Sequence, residues 1–141
     1  MDLNKSPEIS ENKISPEQEW QWCLVGSIVK EHEYGEDHEI RYGSRQFRPD
    51  AKVYINPVYG GMGHEHLLVI GMPRHSSQYI EITTARRNVC NFRVQKVFKP
   101  AVLKKMKDSA WDWWGNSDTA YQTIVGCAAW MNAEAEQDQR T

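Results

Sequence analysis

Two histidines, His64 and His66, stand two positions apart, which is the spacing of residues on one face of a β-strand. Imidazoles on one face can bind the same metal ion, and His32 or His38 could supply a further ligand. No Cys-x-x-Cys or His-Glu-x-x-His pattern accompanies the pair, although zinc sites usually have such spacing. We therefore interpret the two histidines as solvent-facing and predict no metal and no other cofactor.

The segment after Pro73 contains serine and histidine, which hydrolases use for catalysis, but it lacks the sequence pattern of a hydrolase active site. It reads Arg74, His75, Ser76 and Ser77. A nucleophilic serine needs a base, a group that orients the base, and donors for the oxyanion, and here no Gly-x-Ser-x-Gly elbow is present. We predict a polar turn, in which the planar guanidinium of Arg74 suits a carboxylate or a phosphate.

The glycines and cysteines also lack a catalytic arrangement. Gly-Gly-Met-Gly at 60–63 has no following Lys and Ser/Thr, so we interpret it as a hairpin loop and not as a phosphate cradle. Cys23, Cys90 and Cys127 are far apart, and each stands beside apolar residues, which favours inert buried thiols. We therefore predict that the chain is not an enzyme.

Tryptophan is the most prominent residue type left, with six copies in 141 residues. Trp111, Trp113 and Trp114 crowd one short stretch and cannot all point the same way. We expect one or two of them to cap the core and the others to be exposed. Exposed tryptophan favours a partner surface, so we predict Trp113 and Trp114 as anchors.

Charge is segregated along the chain. Residues 1–73 carry a net charge of −5, residues 74–107 carry +8 and residues 108–141 carry −5, which gives −2 overall. The basic segment can bind a polyanion or pack against the acidic parts, and the near-neutral total favours the second interpretation. Should it bind nucleic acid, we expect the phosphates to be held by basic side chains and the bases to stack on Tyr79 and Phe92. Those basic side chains are Arg86, Arg87, Arg93 and Lys96.

The elements that must position these residues are mostly short strands. Apolar alternation and turn residues predict strands over 22–29, 51–56, 65–71, 78–84 and 90–98, with a sixth over 39–42. Between Lys96 and Phe98 the alternation slips, which indicates a bulge or the end of the strand. Helices are expected over 100–110, where Pro100 suits a first helical position, and over 117–136.

This order of elements predicts an α+β domain that is mainly β. Residues 1–18 are polar and proline-rich, so we expect a flexible tail, followed by one domain over 19–141. Within that domain, 19–98 would form a small antiparallel barrel or a strongly bent sheet, and 100–136 the helical part. The absence of an apolar leader or membrane-length segment, together with an odd number of cysteines, predicts a cytoplasmic location and no membrane contact.

Three segments resemble a group of small bacterial proteins with an SH3-like barrel, of accessory or immunity type. They are Trp-Cys-Leu-Val-Gly at 22–26, Phe-x-Pro at 47–49 leading into Lys-Val-Tyr at 52–54, and Pro-Arg-His-Ser at 73–76. The resemblance covers about residues 20–103, with Asp50 where that pattern often has glycine. It implies a five- to six-stranded antiparallel SH3-like barrel and a binding role, and it brings no active-site residue.

The resulting expectation is a non-catalytic immunity or antitoxin-like protein that neutralises a toxin by direct contact. Complementary charge and aromatic anchors carry such interfaces. The residues expected to touch the partner are His64, His66, Arg74, His75, Trp113 and Trp114. The alternative is a nucleic-acid-binding small β-barrel that uses the basic segment 74–107.

Overall fold

Five strands form one antiparallel sheet in the computed structural model, which describes residues 19–29, 47–60, 65–111 and 115–140. The sheet order is β4-β3-β2-β1-β5, so the chain forms a meander in which the first strand also pairs with the last. The predicted α+β, mainly β class is confirmed, whereas the predicted strand over 39–42 lies outside the described residues. The strands are β1 (Gln21–Ile28), β2 (Lys52–Ile55), β3 (His66–Gly71), β4 (Ile80–Ala85) and β5 (Val89–Val97).

The sheet is bent but not closed. Strands β4 and β5 are its two edges, yet a single three-residue 3₁₀ turn, Arg86–Asn88, connects them. Four strand spacings of about 4.8 Å would separate these edges by about 19 Å in a flat sheet. A 3₁₀ turn of this length advances only about 6–8 Å. The sheet must therefore curl until its edges approach each other at this end.

Three helices complete the described chain: α1 (Pro57–Gly60), α2 (Pro100–Asp108) and α3 (Asp118–Arg140). The single turn α1 was not predicted, because its signal is only Asn56 before Pro57. Asn56 Oδ1 accepts a hydrogen bond from the Val58 N–H at 2.9 Å, and proline suits the first helical position. Helices α2 and α3 are confirmed, with α2 ending two residues earlier and α3 four residues later than expected.

Helices cover both faces of the sheet. Trp22, Leu24 and the residues in register with them form the α3 face, where the Trp22 ring lies 4.6 Å from that of Tyr121. The residues of β1 that alternate with these, such as Cys23 and Val25, form the opposite face, which α2 covers. Gln21 lies on this face and donates a hydrogen bond to Met106 Sδ of α2 at 3.1 Å. This double cover explains why the middle of β1 is buried on both sides.

A bulge in β5 fixes where α3 lies. The register between β1 and β5 shifts between Val25 and Ser27, and Asn91 there has a positive φ of 57°. The Phe92 N–H and C=O thus face away from β1, and the Asn132 side chain on α3 binds both, at 2.9 and 2.8 Å. The bulge therefore lies earlier in β5 than the break in apolar alternation that the sequence shows at Lys96. That break is explained by the end of the strand at Val97.

Candidate functional site

An aromatic cluster with a lysine at its centre lies on the α3 face, at the end where β1 begins and β5 ends. Lys96 lies directly opposite Trp22 in the β1–β5 register. Trp20 precedes Trp22 by two residues and Phe98 follows Lys96 by two, and the alternation of strands places such neighbours on one face. Tyr121 joins them from the first turns of α3. We call these five residues the aromatic cluster.

The rings of this cluster are in contact with one another. The Trp20 and Trp22 ring centroids are 5.6 Å apart and nearly perpendicular, at 85°, which is a favourable edge-to-face arrangement. The Trp20 ring also lies 6.3 Å from Phe98. Trp20, Trp22 and Phe98 are each partly exposed, and Tyr121 is 36% exposed. The cluster is therefore an organised apolar surface that solvent still reaches.

The Lys96 ammonium lies above two of these rings. Its Nζ is 4.7 Å from the centroid of Trp20 and 5.3 Å from that of Trp22. A cation over an indole face is attracted by the ring quadrupole, so the lysine is held in place without a carboxylate. Lys96 is exposed and makes no ion pair with any described residue. The cluster thus presents a positioned positive charge surrounded by apolar surface.

The indole N–H groups of Trp20 and Trp22 also have no hydrogen-bond partner among the residues that the structure describes. Exposed indoles with unused donors are typical of recognition surfaces, since each offers apolar area and one polar contact. An extended partner segment with a carboxylate and an apolar side chain would match this surface.

A second group of cations lies on the α2 face. Lys52 Nζ donates a hydrogen bond to Gln95 Oε1 at 2.9 Å, and Arg93 Nη1 donates to Ser27 Oγ at 3.4 Å. Burial, followed by the nearby charges of Lys99 and Arg93, lowers the pKa of Lys52. None of these three cations forms an ion pair within the described ranges. We call Lys52, Arg93 and Lys99 the basic group.

The structure does not bring the predicted partner-binding residues to the aromatic cluster. Arg74 and His75 lie in the turn between β3 and β4, on the part of the sheet away from β5. Arg74 Nε donates a hydrogen bond to the Phe47 C=O at 3.0 Å, so this arginine also supports the fold. His66 is half-buried at the start of β3, and His64, Trp113 and Trp114 lie outside the described residues.

The four predicted nucleic-acid contacts are dispersed as well. Arg86 and Arg87 lie in the 3₁₀ turn, and Arg93 and Lys96 point to opposite faces of β5 because their spacing is odd. Phe92 is only 3% exposed, so it cannot stack on a base. Tyr79 is half-buried, with its ring 6.4 Å from that of Tyr54. The prediction that bases stack on Phe92 is therefore wrong.

Trp111 has a structural role, as expected for one member of its crowded stretch. Its side chain is 3% exposed and belongs to the main core cluster. The indole Nε1–H donates a hydrogen bond of 2.6 Å to Glu81 Oε2 on β4. Trp111, three residues after the end of α2, thereby closes the core against the other edge strand of the sheet.

The cysteines have the environment of inert thiols. Burial is the main cause that raises the pKa of Cys23, Cys90 and Cys127, so all three remain protonated at neutral pH. Within the described residues, no group of three or more His, Cys, Asp or Glu side chains is placed to hold a metal ion. No helix in the same part of the chain is long and apolar enough to cross a membrane.

Sequence reasoning missed Trp20, Trp22, Phe98 and Tyr121 as members of a site. The signal was present as two short alternations, Trp-x-Trp before β1 and Lys-x-Phe at the end of β5. Only the pairing of β1 with β5 shows that these two alternations meet. Comparison with known proteins adds no identity: no protein-family model matches the chain, and no curated protein or solved structure is significantly similar to it.

Proposed function

We propose that this chain is a non-catalytic binding protein that recognises a protein partner through the aromatic cluster. The observation that carries this proposal is the Lys96 ammonium held over Trp20 and Trp22 with no carboxylate from the described chain. A charge that is positioned but not neutralised offers a specific contact to an acidic group. The surrounding rings offer the apolar area that such a contact needs in order to be strong.

The energetics of interfaces favour this surface over the others on the domain. A few buried aromatic residues carry most of the free energy of a typical protein complex, and Trp, Tyr and Arg dominate among them. Two tryptophans and a tyrosine meet within one cluster here, whereas Arg74 and His75 stand in a polar turn. We therefore place the main contact at Trp20 and Trp22 and regard Arg74 and His75 as peripheral.

For the partner we propose a toxin, with this chain as a cytoplasmic bacterial immunity or antitoxin-like protein that masks it. The support is the resemblance over residues 20–103 together with a surface suited to tight contact. Inhibitors of this kind act by covering their target and need no catalytic residue of their own. The chemistry of the cysteines is consistent with that, because burial raises the pKa of all three thiols.

We also propose that the curled sheet is an SH3-like barrel left open between β4 and β5. Two features support this proposal: the first strand pairs with the last, and a three-residue turn joins the two edge strands. Hydrogen exchange of the β4 and β5 backbone would test it. Stable protection of outward N–H groups on both edges would instead indicate a fully closed sheet.

The function is tested by affinity purification of the tagged full chain from producing cells after nuclease treatment, with mass spectrometry as the readout. We expect one protein to be recovered in stoichiometric amount, and we expect Trp20→Ala to lose it. Lys104→Ala is the matched control, because Lys104 is exposed on α2 and pairs with Asp108 of its own helix. Recovery of no protein, or equal recovery by the Trp20→Ala variant, would contradict the proposal.

The second candidate function is nucleic-acid binding, and the basic group favours it. Lys52, Arg93 and Lys99 crowd one face without ion pairs in the described part of the chain. Phosphate contacts by about three cations predict an affinity whose logarithm falls with the logarithm of salt concentration at a slope of roughly −2 to −3. Fluorescence anisotropy with labelled single-stranded nucleic acid tests this prediction. The absence of binding at low salt would exclude nucleic-acid binding as the function.

A further inference from the structure

The outer edge of β5 carries backbone groups that nothing else in the described chain binds. Trp22 donates its N–H to the Gly115 C=O at 3.0 Å, on the side of β1 away from β5. In an antiparallel pair, the residue opposite such a position also directs its N–H and C=O away from the partner strand. Lys96 lies opposite Trp22, and Val94 is two residues earlier, so both point outward.

A peptide-like group already occupies the preceding outward position. Asn132 accepts a hydrogen bond from the Phe92 N–H and donates one to the Phe92 C=O, as a neighbouring strand would. Val94 and Lys96 are the next two outward positions, and neither makes an outward backbone hydrogen bond within the described residues. Backbone groups without a partner are rarely buried. Within the described chain, these two positions therefore offer backbone donors and acceptors that a partner strand could bind.

We infer that the protein partner contributes an extended segment that pairs with Val94 and Lys96 as an additional strand on β5. This inference rests on the proposed function, because it takes the partner to be a protein. Strand addition to a free sheet edge is a general mode of peptide recognition. Backbone hydrogen bonds supply affinity in that mode, and alternate side chains supply specificity.

The chemistry of the segment follows from the residues beside the edge. On the α3 face, a partner side chain next to Lys96 meets an ammonium whose contacts among the described residues are indole rings. The next partner side chain on that face, two residues away, meets Phe98 and Trp20. The segment should therefore carry Asp or Glu at one position and an aromatic or aliphatic residue two positions away.

A second copy of this chain is a poorer occupant of the same edge. Pairing two β5 edges would bring Lys96 and Lys99 of both molecules close together, and like charges on adjacent strands are unfavourable. An edge lysine is a common device against such self-pairing. The positive charge of this edge thus favours an acidic partner and disfavours a dimer.

The test uses a probe selected from a library of random peptides displayed on phage, with the full chain as bait. We expect the enriched peptides to alternate acidic and apolar residues. In the complex with the synthetic form of one such peptide, the N–H groups of Val94 and Lys96 should exchange with solvent about tenfold or more slowly than in the free protein. The N–H of Gln95 faces β1, so its exchange is already slow in the free protein and is the internal reference.

Two variants of one residue separate the backbone from the charge. Lys96→Pro removes an outward N–H without removing a bond to β1, and proline is tolerated at such edge positions. Lys96→Met removes the charge and keeps the N–H. We expect Lys96→Pro to lower the affinity for the peptide by about tenfold more than Lys96→Met does. The matched control is Thr83→Pro, at an outward-facing position on the other edge strand, which should leave affinity unchanged.

Several outcomes would overturn strand addition. These are no enriched peptide, protection at Glu81 and Thr83 in place of Val94 and Lys96, or a dimer of the free chain that Lys96→Pro dissociates. If Trp20→Ala abolishes peptide binding while the Val94 and Lys96 amides stay unprotected in the wild-type complex, the proposed function survives and strand addition fails. The converse result is that the Val94 and Lys96 amides are protected and that Trp20→Ala binds the peptide as well as wild type does. That result would retain strand addition and contradict the proposal that the aromatic cluster is the binding site. The wild-type exchange measurement decides the matter even if Lys96→Pro does not fold.

Discussion

The two edges of the sheet use tryptophan in opposite ways. Beside β4, Trp111 is 3% exposed, and its indole N–H is bound to Glu81. Beside β5, Trp20 and Trp22 are partly exposed, their N–H groups are unused in the described chain, and the adjacent charge of Lys96 has only their rings as partners. Among the described residues, the indole N–H at one edge is bound to a carboxylate, whereas the indole N–H groups and the lysine at the other edge have no polar partner, and we propose that a partner binds them.

This difference supplies a structural criterion that separates a tryptophan that stabilises the fold from one that we propose for recognition. Burial alone is a weak criterion, because Trp22 is itself half-buried against Tyr121. The useful criterion combines exposure with the state of each polar group. A buried indole whose N–H is bound indicates stability, and a half-exposed indole with a free N–H indicates binding.

The largest effect should come from Trp111→Ala. Removing a buried indole leaves a cavity and breaks the bond to Glu81, so we expect the free energy of unfolding to fall by about 3–5 kcal/mol. Urea unfolding followed by circular dichroism measures this. Trp20→Ala is the comparison and should lower stability by only about 1 kcal/mol or less. Equal losses from the two variants would remove the distinction between the edges.

Asn132→Ala should have the next largest effect, because it exposes the first outward position of the β5 edge. The Phe92 N–H and C=O lose their bonds to α3, and we expect a loss of about 1–3 kcal/mol. Gln122→Ala, at an exposed position of the same helix, is the control and should change stability by at most about 0.5 kcal/mol. An Asn132→Ala variant as stable as this control would show that α3 is not anchored at the edge.

Glycine substitutions test the packing of β1 between the two edges. A Cβ at Gly26 would lie 2.6 Å from Val89 Cγ1, so Gly26→Ala should cost about 1–3 kcal/mol. At Gly126 in α3, a Cβ would meet nothing within 4 Å, so Gly126→Ala should raise stability by about 0.5–1 kcal/mol. Thermal unfolding of both variants provides the measurement. The same sign for both would contradict the described packing of β1 or of α3.

Ionisation of Tyr54, on the strand midway between the edges, gives a further test that depends on pH. Burial, with smaller contributions from Tyr79 and Cys23, raises the pKa of Tyr54 to about 12 from the ordinary 10.0. Below pH 10 the tyrosine is neutral in both states, and between about 10 and 12 the unfolded chain ionises first, so stability falls as pH rises. Tyr54→Phe should show a shallower decline over that range in urea unfolding. Parallel curves would mean that Tyr54 ionises as readily in the folded state.

Much of the fold was predictable because strands and helices carry local periodic signals. The alternations around Val53 and Ile80 and the position of Pro100 led to the described elements within a few residues. The site was less predictable, because Trp22 and Lys96 are far apart in the chain and meet only through strand pairing. Trp113 and Trp114 drew attention through crowding, a property of sequence that says nothing about contacts in space.

The central claim is that the aromatic cluster binds a protein partner. The most direct test is isothermal titration calorimetry of the captured partner with the purified wild-type chain and with the purified Trp20→Ala variant. Wild-type chain and the Trp20→Ala variant should unfold at similar temperatures. The variant should bind the partner at least about 30-fold more weakly, as expected for an aromatic hot spot of about 2 kcal/mol or more. Equal affinity of the two proteins for the partner would contradict the claim.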